Sequence, residues 1–193
     1  MKTSDKKFVE TELPVHRYPS ALRSKEWLRK ALLQLLTEKK YSQILIKDIC
    51  ERATLSRQTF YQMFSSKDEI MEYHFSILFH QFTEYCSSYQ NISVFEISQC
   101  FFTFFRKHRD FIDILITNNL THLLEQQFEY YLTQINLFNK YNKNNLHTDY
   151  TVAFLSGALT QILIHWLQSN CNLTVDEISS LTQAGLTGAV FHL

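Results

Sequence analysis

The sequence predicts an all-α fold, and three observations support this. Its 193 residues include only 3 glycines and 2 prolines, whereas average frequencies of about 7% and 5% would give roughly 23. Turn-rich β folds draw heavily on glycine, so they are disfavoured. Both prolines, Pro14 and Pro19, precede the first periodic segment, and about 170 residues follow without a proline break. Over most of that length, apolar residues recur at the spacing of helices.

Composition also restricts the class of protein. An apolar content of 45% is enough for a substantial core, and the balance is too apolar for general disorder. No uninterrupted apolar run approaches the roughly 18 residues that span a bilayer, so a membrane protein is not expected. Residues 1–20 lack the apolar segment of a signal peptide, so a cytoplasmic location is expected. The four cysteines form no CxxC pair and are expected to be reduced, mostly buried thiols: Cys50, Cys86, Cys100 and Cys171.

The net charge of zero conceals a strong asymmetry along the chain. Residues 1–67 contain 14 lysines and arginines and 7 acidic residues, which gives a net charge of +7. Residues 68–193 contain 5 basic and 12 acidic residues, which gives a net charge of −7. Because a basic segment attracts polyanions, this asymmetry suggests that the N-terminal part meets a polyanion and the remainder does not.

The N-terminal third contains three helical pieces. Residues 1–19 have no sustained periodicity and are expected to form a flexible basic arm. From Ser24, apolar residues recur every three or four positions, which predicts an amphipathic helix of about four turns. The segment KDICERA (47–53) predicts a short helix, and RQTFYQMF (57–64) predicts another, with Ser56 as its N-cap.

Capping signals and helical periodicity predict the remaining elements. Ser66 and Glu69 form a capping box, which predicts the start of a long helix that reaches about Ser87. Thr174 and Glu177 form another, which predicts the start of the last helix, reaching about His192. Further helices are predicted over 94–108, 111–118, 120–138 and 150–168, and the asparagine-rich segment 139–147 is predicted to be a loop.

The two short helices, joined by residues 53–56, form a helix-turn-helix pattern. Their apolar residues face inward, so the first helix can support them while a polar side is free to enter the major groove of DNA. An ordinary packed three-helix corner would show the same periodicity. The charge of +7 on this part of the chain favours DNA binding.

The string ILIKDICERATLSRQTFYQMFSSKDEIM resembles the N-terminal signature of the TetR family of bacterial transcriptional regulators. The resemblance covers about Ser24 to Met71, and its core, SRQTFYQMFSSKDEI, is specific. It implies an all-helical homodimer with about nine helices per subunit. Residues 20–66 would form the DNA-binding domain, and residues 67–193 a domain for effector binding and dimerisation. The implied partners are an operator in double-stranded DNA, a second copy of the chain and a small-molecule effector; no cofactor is expected.

The resemblance also assigns DNA contacts by position. It places four residues at the start of the recognition helix, phosphate contacts at Tyr61 and Lys67, and Lys47 near the DNA backbone. The chemistry agrees, because arginine reads guanine and glutamine reads adenine bidentately, while tyrosine and lysine commonly contact phosphates. The expected DNA-binding residues are Lys47, Ser56, Arg57, Gln58, Thr59, Tyr61, Gln62 and Lys67.

Two positions depart from the family pattern. Family members commonly have glycine after the first helix and again in the turn, where this chain has Lys40 and Thr54. Each residue must therefore avoid a positive φ or accept a strain of about 1–2 kcal/mol. The departures concern the angle between the helices, and leave the predicted fold unchanged.

Catalysis and metal binding are disfavoured. The chain has no GxSxG motif and no glycine-rich phosphate loop, so no enzymatic activity is expected. Its histidines and cysteines do not follow HxxxH, HExxH or CxxC spacing, so no metal site is expected either.

Two further sites are expected in the C-terminal part. Its aromatic residues suggest an apolar ligand pocket, although each of them is also explained as core. The pocket candidates are Phe101, Phe105, Phe128, Phe154, His165 and Trp166. The segment 150–168 is apolar on too many sides for one subunit to cover, and glycines permit close helix approach, so dimerisation through the last two helices is predicted. The expected interface residues are Gly157, Leu159, Gly185 and Gly188.

Two functions from different classes remain open. The first is a homodimeric repressor that a small molecule releases from its operator. The second is a helical dimeric interaction protein that binds a protein partner and acts as a ligand-independent activator or co-regulator. Binding to DNA that flanks the gene, with and without metabolites, distinguishes them.

Overall fold

The computed structural model describes residues 20–86, 93–134 and 145–187, and of residues 145–148 it describes the backbone alone. Regular structure in these ranges consists of nine α-helices and the 3₁₀ turn Tyr41–Gln43, with no β-strand, which confirms the predicted all-α fold. The helices are α1 (Ser20–Glu38), α2 (Ile46–Ala53), α3 (Arg57–Met63), α4 (Lys67–Cys86), α5 (Val94–Lys107), α6 (Arg109–Thr117), α7 (Thr121–Gln134), α8 (Asn145–Gln168) and α9 (Val175–Leu186).

Two helices begin four or five residues earlier than predicted. α1 starts at Ser20, directly after Pro19, and so precedes the apolar repeat by one turn. α8 starts at Asn145, so the predicted loop is wrong for residues 145–147. Asparagine disfavours helix only weakly, and extending an established helix by a few residues is far easier than nucleating one. The arm, most of the asparagine-rich loop and the last residues of the chain lie outside the described residues.

The chain divides into two compact units, which are residues 1–72 and 73–193. The division falls inside α4, six residues beyond the end expected for the DNA-binding domain. α4 therefore begins in the first unit and continues into the second.

α1 is the apolar base of the first unit. Its Leu28, Leu32 and Leu36 follow one another at four-residue spacing and are buried. α2 and α3 both contact α1, and their Ile49 and Phe60 are fully buried. Helices of two turns are unstable alone, so this packing is what keeps α2 and α3 folded.

Side chains cap the starts of α3 and α4. The Thr59 N–H donates to Ser56 Oγ at 3.0 Å, which confirms the predicted N-cap of α3. At α4, Ser66 Oγ accepts from the Glu69 N–H at 3.2 Å, as predicted. The Glu69 carboxylate, however, reaches one residue further back and accepts from the Ser65 N–H at 2.6 Å. The predicted capping box is therefore correct in its first half only.

The two positions where family members commonly have glycine differ in backbone conformation. Lys40 has φ −61°, an ordinary extended conformation. Thr54 has φ 55° and ψ 42°, so a β-branched residue occupies the left-handed region that favours glycine. The strain is thus confined to the turn of the helix-turn-helix, where it amounts to about 1–2 kcal/mol.

Substitution of Thr54 by glycine is expected to raise the free energy of unfolding of the first unit by about 0.5–1 kcal/mol. Glycine adopts a positive φ freely, and this gain exceeds the entropy that glycine adds to the unfolded chain. The measurement is the urea midpoint of Thr54→Gly beside that of Thr54→Ala, which keeps the left-handed penalty and is expected to stay near the wild type. A lower midpoint for Thr54→Gly would contradict the strain.

The second unit is an aromatic-rich helical bundle in which α5 packs on α9 and α7 packs on α8. Phe102, Phe105 and Trp166 are buried in its core. The Trp166 indole N–H donates to the Leu173 carbonyl at 2.9 Å, so its polar atom is satisfied. Thr174 and Glu177 form the predicted capping box of α9, which is confirmed. Ser93 and Glu96 form a further one at α5, which the sequence also contains as S-x-x-E.

All four cysteines are free thiols, and two of them, Cys50 and Cys100, are buried. Burial and the neighbouring Cys100 thiol raise the pKa of Cys86 to about 12. Thiols react as thiolates, so Cys86 is poorly nucleophilic at neutral pH.

α8 is the most apolar long helix. Its segment Asp149–Gln168 is long and apolar enough to span a membrane by length and composition alone. No such segment was expected from the sequence. Core helices of water-soluble proteins pass the same test, so this carries little weight.

Candidate functional site

The outward side of α3 presents four polar side chains. Arg57, Gln58, Tyr61 and Gln62 lie at i, i+1, i+4 and i+5, share one side of the helix and are all exposed; this set is the α3 face. On the opposite side, the buried Phe60 ring meets the Tyr61 ring edge-on, with centroids 5.3 Å apart. This contact packs one side of the Tyr61 ring and leaves 60% of the residue exposed.

Ser56 and Thr59 belong to the start of the helix. Their hydroxyl oxygens are 2.9 Å apart, and Ser56 also caps α3. Thr59 is half-buried, so it is less accessible than the α3 face. Both predicted contact residues therefore lie beside the α3 face, with hydroxyls that already bond each other.

Lys47 and Arg57 flank an open cleft between α2 and α3. Glu51, Thr54 and Leu55 also line the cleft, and the buried Cys50 contributes to it. Among the described side chains, neither Lys47 nor Arg57 forms an ion pair. The structure thus brings two exposed cations to the same side of the helix-turn-helix.

Three other cations of the first unit are neutralised by carboxylates. Three ion pairs account for them: Arg29 with Glu26 at 2.5 Å, Lys39 with Asp48 at 2.7 Å and Arg52 with Glu38 at 2.7 Å. Each pair adds nothing to the net charge of +7, which is therefore carried by other side chains of residues 1–67. The cations beside α3 remain available to a polyanion.

Lys67 occupies a different environment from the other predicted DNA contacts. Its ammonium donates to the carbonyls of Tyr41 at 2.6 Å and Ile44 at 3.0 Å, and lies 4.1 Å from the centre of the Tyr41 ring. The side chain is half-buried, and burial lowers the pKa of its ammonium. Lys67 therefore binds the connection between α1 and α2 within its own chain.

Asp68 binds the same connection. The Tyr41 hydroxyl donates to the Asp68 carboxylate, and burial together with this carboxylate raises the pKa of Tyr41. Sequence reasoning missed the pair, because its members are 27 residues apart and no local pattern joins them.

The six pocket candidates do not converge on one site. Phe101, Phe105 and Phe128 are buried and in mutual contact, with ring centroids 4.8–5.4 Å apart. Trp166 is buried separately against Phe102. Phe154 is 66% exposed, and His165 is exposed as well. The three phenylalanines therefore form packed core, and two of the candidates lie at the surface.

Those two exposed residues belong to a stripe along α8. Tyr150, Phe154, Ala158, Gln161 and His165 follow one another at spacings of three or four and are all exposed; this set is the outer face of α8. A stripe at this spacing runs along one side of a helix.

The predicted interface residues occupy varied positions. A Cβ added to Gly157 would lie 3.4 Å from a carboxylate oxygen of Glu125 in α7, so Gly157 faces its own chain. Leu159 is half-buried. Gly185 is exposed, and an added Cβ there would meet nothing within 4 Å. Gly188 lies outside the described residues.

Comparisons with known proteins cover both units. Residues 28–73 match the family model described as bacterial regulatory proteins, tetR family, and residues 92–188 match the model described as a transcriptional regulator C-terminal region. No curated protein matches the chain.

Two solved structures are similar to the chain. A TetR transcriptional regulator from Streptococcus agalactiae 2603V has a TM-score of 0.61 and 21% identity, covering 85% of this chain and 93% of that one. The dihydroxyacetone kinase operon activator DhaS has a TM-score of 0.52 and 18% identity, covering 86% of this chain and 96% of that one. At these identities the likeness concerns the fold.

Proposed function

This chain belongs to the TetR family of bacterial transcriptional regulators, and from that premise we propose that it is a homodimeric repressor which a small-molecule effector releases from its operator. The observation that carries the proposal is the α3 face, four exposed polar side chains on a helix held from behind by buried Phe60. The proposal includes no enzymatic activity and no cofactor, and it places the protein in the cytoplasm, where operator DNA is.

In the proposed complex, α3 lies in the major groove. Arg57 and Gln58, at the start of α3, are the base readers, because their side chains bond guanine and adenine bidentately. Tyr61 and Lys47 contact phosphates, which fix the orientation of the helix and carry no sequence information. Gln62 completes the α3 face one turn further along.

In the proposed dimer, α8 and α9 of two subunits form a four-helix interface. The outer face of α8 carries Tyr150 and Phe154, which are 72% and 66% exposed, and α9 exposes Leu181. Side chains of this size gain about 1.5–3 kcal/mol each when they are buried. Gly185 has open space around it, so it suits close approach by a second chain.

The proposed effector acts on the second unit. Phe101, Phe105 and Phe128 fill the space between their helices, so an apolar effector would have to displace rings that now contact one another. The alternative is a protein partner of the second unit, with the chain acting as a ligand-independent activator or co-regulator. One similar structure, DhaS, is described as an operon activator, so the proposal of a repressor stands beside the alternative of an activator.

One experiment tests the proposal. The full-length protein selects duplexes from a random library, and its affinity for the selected duplex and for DNA flanking its gene is compared with its affinity for a scrambled duplex. We expect a preference of about 10³-fold or more at physiological salt. No preference would refute operator recognition.

The same duplex then tests the effector. A metabolite that weakens DNA binding tenfold must itself bind tenfold more weakly to the DNA complex, because coupling between two sites is reciprocal. If cell metabolites leave DNA binding unchanged and a purified protein partner alters it, the alternative is correct.

A further inference from the structure

We propose that Lys67 is a positioning residue, which together with Tyr41 and Asp68 fixes the connection between α1 and α2 and thereby sets the orientation in which α3 meets DNA. This set of three residues is the α4 clamp. The proposal rests on the DNA-binding function proposed above. It assigns Lys67 a role other than the phosphate contact that the family resemblance implies.

The geometry of the ammonium supports this role. A lysine ammonium has three N–H bonds and no further donor. Two of them serve the carbonyls of Tyr41 and Ile44, and the positive charge lies over the Tyr41 ring. A single N–H therefore remains for a phosphate, and any closer approach to DNA would require Lys67 to give up these contacts from a half-buried position.

The second half of the α4 clamp is the bond between Tyr41 and Asp68. Tyr41 is 9% exposed, and its hydroxyl donates to the Asp68 carboxylate. The first two residues of α4 thus hold Tyr41 at both ends, Lys67 at the backbone carbonyl and ring, and Asp68 at the hydroxyl.

Hydrogen bonds also link the connection between α1 and α2 to the start of α2. Ile44, whose carbonyl Lys67 binds, directly precedes Leu45, and the Leu45 N–H donates to the Asp48 carboxylate at 3.0 Å. The same carboxylate accepts from Lys39 at 2.7 Å, at the other end of the connection. A displacement of the first turn of α4 must therefore either move the start of α2 or break these bonds. Because α2 packs on α3, the α3 face would move with it.

The two roles of Lys67 predict different dependence on salt. Loss of a phosphate contact reduces the slope of log affinity against log salt concentration by about 0.9 for each contact and weakens all sequences alike. Loss of a positioning contact leaves the number of neutralised phosphates unchanged. It weakens binding to the selected sequence, where the alignment of α3 matters, and leaves binding to random DNA unchanged.

The test measures binding of full-length variants to the duplex selected by the wild type and to a scrambled duplex, over a series of salt concentrations. For Lys67→Met we expect about tenfold weaker binding to the selected duplex, the equivalent of one hydrogen bond to a charged group, with the wild-type slope and unchanged binding to the scrambled duplex. Lys47→Met is the matched control, and its slope should fall by about 0.9 per subunit.

Two isosteric variants keep the test decisive if Lys67→Met does not fold. Tyr41→Phe removes the hydroxyl–carboxylate bond and retains the ring, whereas Asp68→Asn retains the shape of the side chain and weakens the bond, because a neutral amide oxygen replaces the carboxylate as acceptor. We expect both variants to bind the selected duplex several-fold more weakly, with the wild-type dependence on salt concentration.

Unchanged affinity in both isosteric variants, or a slope for Lys67→Met that falls as it does for Lys47→Met, would overturn the positioning role. A wild-type chain that selects no duplex would instead overturn the proposed function, and the positioning role with it.

Discussion

Replacement of Arg57 by alanine is expected to abolish recognition of the guanine that it reads, at a cost of about 1–3 kcal/mol per subunit, or about 2–6 kcal/mol for a dimer on a symmetric operator. Arg57 is exposed on the α3 face and forms no ion pair among the described side chains, so its guanidinium is available to a base edge. The measurement is the affinity of Arg57→Ala for the selected duplex and for duplexes with each base pair changed in turn.

Two arginine variants serve as controls for this prediction. Arg57→Lys keeps the charge and loses the bidentate fork, so it should retain binding to scrambled DNA and lose most of the discrimination. Arg52→Ala removes an exposed arginine that is held by Glu38 at 2.7 Å, and it should change discrimination little. Equal losses for Arg52→Ala and Arg57→Ala would show that the effect is general charge, and would contradict base reading by Arg57.

Introduction of a carboxylate on the outer face of α8 is expected to convert the dimer into monomers and, with it, to remove most operator affinity. In the proposed dimer, Phe154→Glu would bury two like charges near the two-fold axis at a cost of several kcal/mol. A monomer contacts only one half-site, so the gain from binding two half-sites at once is lost. Light scattering coupled to size exclusion measures the mass, and the selected duplex measures the affinity.

A matched variant separates the interface from general surface effects. Tyr130 in α7 is an aromatic residue with 56% exposure that does not belong to the outer face of α8. Tyr130→Glu should remain dimeric, while Leu181→Glu in α9 should behave as Phe154→Glu does. A wild-type protein that is monomeric at micromolar concentration, or a dimeric Phe154→Glu, would refute an interface at this surface.

Local sequence patterns were sufficient for most of the fold. The scarcity of glycine and proline and the helical repeat of apolar residues predicted an all-α chain, which the structure confirms. Ser56, Thr174 and Glu177 were predicted as caps because a cap depends on residues within one turn of each other. The exposed α3 face was predictable for the same reason, since its four residues lie within six positions.

Tertiary structure alone decided what depends on contacts between distant residues. In the sequence, Lys67 is one more cation of a basic segment, but in the structure its ammonium donates to carbonyls 23 and 26 residues away. Likewise, Phe154 and Phe128 are equally aromatic in sequence, yet Phe154 is 66% exposed and Phe128 is 3% exposed. The sequence by itself determined the helices, most of their caps and the exposed polar side of α3, because local spacing and chemistry specify these. Which cation is bound by its own chain and which aromatic side chain faces outward were decided by packing, because they depend on which distant backbone and side-chain atoms the fold brings alongside.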